Sequence, residues 1–168
     1  MAATSTTRPA KAQSGHKAVI LKRYNRITKK TSPSFWVMAH EVSSLSEGER
    51  MARIQAGFTA NWLSATREAF VLNKSAIAGL AHISPATFDR RLKSEQRLDQ
   101  VASERLDRLA QMAVMAEEVF EDKAVATSWL ATANDALGGK TPLALCETEL
   151  GARQVRRVLH AIEWGGVA

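Results

Sequence analysis

Apolar positions recur at helical spacing through most of the chain after residue 46. Met51, Ile54, Phe58, Trp62 and Leu63 form a first stripe, introduced by Ser46 with Glu49 three residues on, a capping-box pattern. They predict a helix over 47–64, weakened in its middle by Gly57. A shorter helix is expected over 65–72 through Phe70 and Leu72. Next, 74–81 reads as a helix with Ile77 and Leu80 inward, and His82-Ile83 breaks it. Ser84 then caps a new helix with Pro85 at its first position. The longest run is 98–122, where Leu98, Val101, Leu106, Leu109, Ala113, Ala116 and Phe120 share a face that Met112, Met115 and Val119 widen. So wide a stripe suits the chain's own core or a self-association face.

Residues 123–168 read as three short helices. The first, 124–131, holds Trp129-Leu130, and Asn134 caps a turn through Leu137 that Gly138-Gly139 closes. Thr141 caps the second, with Pro142 at its first position, expected to end near Leu150-Gly151. The last, 151–163, puts Val155, Val158, Leu159 and Ile162 on one face and Arg153, Arg156 and Arg157 outside. The class implied is all-α, and 9 Gly and 4 Pro are few for an all-β chain of 168 residues. That length suits one domain, or two small ones sharing a core.

Charge adds a second layer. The net is +6, but residues 1–45 carry eight Lys/Arg against Glu41 alone, and 46–122 carry ten basic and twelve acidic residues. The basic character therefore resides in the first 45 residues, which read as a flexible arm whose Ala/Ser/Thr/Lys start cannot bury a core. Such an arm is either a phosphate-contacting segment or a solvated tail. Phe35, Trp36, Val37 and Met38, after Pro33, form an apolar cluster expected to dock on the body.

The 74–93 stretch has the form of a helix-turn-helix, whose second helix enters the DNA major groove. Phe88 and Leu92 point inward on that second helix, while Thr87, Arg90, Arg91 and Lys93 point outward behind the Ser84 cap. Arginine can read guanine O6 and N7 in bidentate fashion, and Ser or Thr hydroxyls reach bases or phosphates. Ser84, Thr87, Arg90, Arg91 and Lys93 are therefore the candidate DNA-contacting residues. An ordinary helical hairpin with a basic solvated face would show the same pattern.

The C-terminal third carries a more specific signal. Trp129-Leu130, Asn134, Leu137-Gly138-Gly139, Thr141-Pro142-Leu143, Thr148-Glu149-Leu150-Gly151, Val155, Leu159, Ile162-Glu163 and Gly165 together resemble the toxin-binding domain of the Xre/MbcA/ParS antitoxins. Upstream, Ser84-Pro85-Ala86-Thr87, Arg90-Arg91-Leu92, Leu98 and Glu104-Arg105-Leu106 resemble their Xre-like helix-turn-helix part. One departure is Ala133 before Asn134, where the family usually has Pro, which affects a turn.

The resemblance does not reach the basic arm 1–45, and beyond it implies two segments: a helix-turn-helix DNA-binding and dimerisation region over 46–122, and a small helical toxin-binding domain over 123–168. It implies an antitoxin of a type II toxin–antitoxin pair that blocks a RES-domain toxin, which depletes NAD. It also implies repression of the shared operon by a homodimer or a higher assembly with the toxin. The toxin-facing positions it suggests are Arg153, Arg156, Arg157, His160, Trp164, Gly165 and Gly166. From the residues alone, Trp164 is either an interface anchor or the residue that closes the small domain's core, and Gly165-Gly166 either lets backbone approach a pocket closely or merely ends the helix.

Other chemistries find little support. Gly139-Lys140-Thr141 looks like the end of a P-loop, but position 134, where that loop needs glycine, is Asn134. No Gly-x-Ser-x-Gly or Cys–His constellation occurs, so no enzyme activity and no cofactor are expected. His16, His40, His82 and His160 have no ligand spacing with one another or with Cys146, so no metal is expected. The lone Cys146 excludes an internal disulfide and fits a reducing cytosol, where it reads as a small buried hydrophobe. Neither a signal peptide nor a spanning segment is expected, which leaves a cytoplasmic protein. The rival readings are a stand-alone helix-turn-helix regulator without a toxin, a small enzyme, and membrane-surface binding through the arm.

Overall fold

The computed structural model describes residues 34–165; most of the basic arm and Gly166 lie outside the described residues. Regular structure among the described residues is helical, as the spacing implies. Helix α1 (Phe35–Ser43) is capped by the Ser34 hydroxyl and buries Phe35, Trp36, Met38, Ala39 and Val42. Phe35, Trp36 and Met38 of the apolar cluster thus begin a full helix seated on the body, while Val37, expected to dock with them, is exposed. The end of the segment read as a flexible arm is instead core.

Helix α2 (Glu47–Ala56) starts at the predicted capping box. The Ser46 hydroxyl accepts the Glu49 N–H, and the Glu49 carboxylate accepts the Ser46 N–H at 2.9 Å. No α2 residue is buried, and Met51, expected inward, is 61% exposed. Ile54 packs partly against the core, and polar ties add to it. Arg50 donates to both carboxylate oxygens of Asp107 at 3.2 and 2.6 Å, and Arg53 pairs with Glu41 of α1 at 2.6 Å.

The single helix expected over 47–64 is broken at Gly57, whose φ is +81°. The Phe58 carbonyl accepts the Leu98 N–H at 2.8 Å, the Phe58 N–H donates to Ser103 Oγ at 2.9 Å, and Arg97 donates to the Gly57 carbonyl at 2.7 Å. This long-range junction pulls the chain out of the helix. Helix α3 (Asn61–Ala69) follows and absorbs most of the element expected at 65–72. Trp62 stacks on Phe58 at 4.6 Å, and Phe35 meets Trp62 and Phe70 edge-on at 6.2 and 5.1 Å. Such pairs contribute about 0.5–1.5 kcal/mol each beyond their buried area.

Helices α4 (Lys74–Leu80) and α5 (Pro85–Lys93) form the predicted hairpin. Helix α6 (Gln100–Phe120) is the spine, capped by Asp99, and α1, α2, α7 (Lys123–Ala131) and α9 (Glu149–Glu163) pack on it. Its wide apolar stripe serves the chain's own core, since Leu106, Leu109, Ala110, Met112, Ala113 and Ala116 are buried; Val101 is exposed. Two arginines one turn apart tie the halves of the fold to this spine. Arg105 donates to the Leu80 carbonyl at 3.4 Å, and Arg108 donates to the carbonyls of Cys146 and Glu147 at 3.1 and 3.2 Å.

After α7, Asn134 caps a 3₁₀ turn over Asp135–Leu137, and Thr141 caps α8 (Pro142–Leu145). The expected continuation of α8 to residue 150 does not occur. The Thr148 hydroxyl accepts the Gly151 N–H at 3.0 Å and starts α9 there. Gly151 makes the tight turn possible, because a Cβ at that position would lie 2.0 Å from the Leu145 carbonyl oxygen. Cys146 is buried, as expected of a small hydrophobe, and burial pushes its thiol pKa up to about 12.

Candidate DNA and toxin interfaces

The hairpin has two caps and one strained residue. Asn73 caps α4 and accepts the Ala76 N–H at 2.8 Å. His82 takes φ +56° in the turn, and Ser84 caps α5. Lys74, at the start of α4, pairs with Asp89 of α5 at 2.9 Å. Phe88 is buried and Leu92 packs partly against the core, which fixes the rotation of α5.

That rotation sorts the five candidate DNA residues. Ser84 and Thr87 sit at the N-terminal end of α5, their hydroxyls 2.9 Å apart, and Ser84 Oγ also accepts the Thr87 N–H at 3.0 Å. Arg90 and Lys93 are exposed, and their side chains make no hydrogen bond or ion pair among the described residues. Arg91 is different. Its guanidinium is turned back into the protein, donating to the Arg97 carbonyl and pairing with Asp99 at 3.3 Å. Its Nε is buried without a partner. Arg91 therefore braces α5 against the N-cap of α6.

On α9, Val155 and Leu159 are buried. Arg153, Arg157, His160 and Trp164 lie on the opposite, exposed side. Arg153 pairs with Glu149 of its own helix at 3.4 Å, and His160 Nδ1 lies 3.3 Å from Glu163. Trp164 is 82% exposed, so it does not close the small domain's core. Gly165 follows it with φ +72°. Arg156 is apart from this group. It is half-buried and lines a cleft of about 320 Å³ with Ser43, Gln111, Met115 and Glu118.

Sequence reasoning missed two residues of this surface. Leu150 is 72% exposed and falls in line with Arg153, Arg157 and Trp164, at offsets of three, seven and fourteen residues. Its place on the polar side of the helical repeat was the available signal. The row from Leu150 to Trp164 runs about 21 Å. Lys140 is the other. It faces α9 across a cleft of about 600 Å³ whose walls include Leu137, Leu145, Gln154, Arg157 and Val158.

A hairpin of helix-turn-helix form and a compact helical module, both tied to one spine helix, define a two-part all-α fold. Residues 49–111 match the antitoxin Xre-like helix-turn-helix domain, and residues 115–165 match the antitoxin Xre/MbcA/ParS C-terminal toxin-binding domain. The chain is 33% identical over 120 residues to the antitoxin Xre of Pseudomonas putida, covering 71% of this chain and 74% of that protein. The chain belongs to the Xre family of antitoxins. The second match begins inside α6, so the last turns of the spine helix are shared with the toxin-binding module.

Proposed function

We propose that this antitoxin binds and blocks a RES-domain, NAD-degrading toxin through its C-terminal domain, residues 123–168, and represses its own operon through residues 46–122. It acts in the cytoplasm by binding, without turnover. Major-groove readers of this form bind paired half-sites as dimers, which supports a homodimer or a higher assembly with the toxin. The observation that carries the toxin-blocking part is Trp164, a large indole 82% exposed at the end of α9 inside a toxin-binding domain. Exposed tryptophans of this kind anchor protein interfaces. Arg153, Arg157, His160, Trp164, Gly165 and Gly166 form the proposed toxin-facing surface, with Leu150 added and Arg156 at its edge. Ser84, Thr87, Arg90 and Lys93 are the proposed DNA contacts, and Arg91 positions them.

The test is co-expression with the product of the neighbouring gene, followed by co-purification and an NAD assay. A stable complex that spares NAD, where the partner alone depletes it, is the expected result. Removing residues 164–168 should abolish that protection while leaving a folded, DNA-binding protein. No complex, or a partner without effect on NAD, would sink the RES reading. The stand-alone helix-turn-helix regulator would then be the better account.

A further inference from the structure

The cleft between α9 and the Leu137–Gly138 turn has a composition that the fold does not explain. Its floor is apolar, from Leu137, Leu145 and Val158. Its rim carries Lys140 on the turn and Arg157 on α9, and no carboxylate lines it among the described residues. Both cations are exposed, and neither makes a side-chain hydrogen bond or ion pair among the described residues. This contrasts with Arg153, one turn earlier on the same helix, which is paired with Glu149.

From this geometry we infer that the cleft is the docking groove for an acidic segment of the toxin, a stretch that sets an Asp or Glu against Arg157 and Lys140 and an apolar neighbour on the Leu137–Val158 floor. The inference rests on the toxin-binding reading of this domain and adds where the partner seats and what it brings. The argument for a peptide over a nucleic-acid backbone is the floor. A phosphate chain gains nothing from apolar side chains, whereas a protein segment buries its own against them. Charge complementarity supplies the polarity of the partner. An arginine fork can hold a carboxylate in two parallel hydrogen bonds, and Lys140 adds a point charge across the opening. The α9 row from Leu150 to Trp164 runs alongside, so one partner could meet the row and the cleft together.

The test uses the full chain co-expressed with the tagged product of the neighbouring gene. The variants are K140E/R157E, R157K and W164A. Both cations are exposed, so far-UV circular dichroism and operator binding of K140E/R157E should match the parent. The expected result is at least about a hundredfold loss of toxin affinity in K140E/R157E, from two charge reversals at a desolvated contact. R157K should lose about tenfold, because it keeps the charge and gives up the fork. The parent complex should also release toxin as sodium chloride rises in the wash, and an acid-to-lysine exchange in the toxin should restore capture by K140E/R157E. Undiminished capture by K140E/R157E, with capture lost in W164A, overturns the cleft and leaves the toxin-binding reading standing. Lost operator binding with intact toxin capture assigns the cations to DNA and overturns it too. A parent chain that captures nothing fails the toxin-binding reading itself.

Discussion

Gly57 and Leu98 are separated by forty-one positions, yet a Cβ on Gly57 would lie 2.2 Å from the Leu98 carbonyl oxygen. The contact exists because the chain at Gly57–Phe58 is pinned to the approach of the spine helix, with Leu98 donating to Phe58 at 2.8 Å. Gly57 is also at φ +81°, where a side chain is strained even without the clash. Gly57→Ala should therefore cost about 2–4 kcal/mol of stability, since backbone must move on both sides of the junction. Urea unfolding followed by circular dichroism measures it. A midpoint within error of the parent would mean the junction yields freely and does not organise the fold.

The two neighbouring arginines of α5 should separate cleanly. Arg90 is exposed and unpaired among the described residues, so Arg90→Ala should leave the melting temperature unchanged. It should weaken operator binding and lower the slope of log K against log salt by about one if it meets a phosphate. Arg91 is held by the Arg97 carbonyl and Asp99. Arg91→Ala should cost about 1–2 kcal/mol of stability, and reduce DNA binding only through the position of α5. Paired melting curves and salt-dependent titrations of the two variants decide the matter. Equal thermal stability would show that the brace is dispensable.

The legible part of this fold was local. Ser46 with Glu49, Ser84 with Pro85, Asn134, and Thr141 with Pro142 each cap a helix as the sequence indicates, because a cap is an interaction over three residues. The hairpin at 74–93 was legible for the same reason. What escaped depends on distant partners. Gly57 breaks its helix because of Leu98, and Arg91 turns inward because Arg97 and Asp99 stand behind it. The Thr148 cap ends α8 early because Gly151 can press on Leu145. Met51 fits the apolar repeat of α2 but is exposed, while Ile54 of the same helix packs partly against the core. Trp164 stood open between anchor and core from sequence, because apolar character alone does not tell a buried side chain from an interface one.

The capping box gives a pH-dependent handle. Hydrogen bonds from the Ser46 hydroxyl and then the Ser46 N–H hold the Glu49 carboxyl below its usual value of 4.5. A depressed folded-state pKa means stability that is present above the unfolded value and lost as pH falls through the folded one. Glu49→Gln can keep a similar box geometry without that titration. The parent should lose stability relative to Glu49→Gln as pH drops below 4.5, and the difference should be constant at neutral pH. Thermal melts of both proteins across pH 3 to 7 check this. Parallel curves over the whole range would show that the Glu49 contacts do not persist in solution.

Tryptophan emission should report the toxin contact directly. Trp36 and Trp62 are buried, Trp129 is partly buried, and Trp164 is 82% exposed. Acrylamide reaches an indole only where solvent does, so most of the quenchable emission should belong to Trp164. Trp164→Phe should remove that fraction and leave the melting temperature unchanged, because the side chain contributes nothing to the core. If the end of α9 enters the toxin interface, the parent in complex should become as poorly quenched as the Trp164→Phe complex, with the toxin's own tryptophans cancelling between the two. A quenchable fraction that survives complex formation would leave the indole in solvent and move the contact along the row toward Leu150. Equal quenching of the free parent and free variant would show that the indole is covered before any partner arrives.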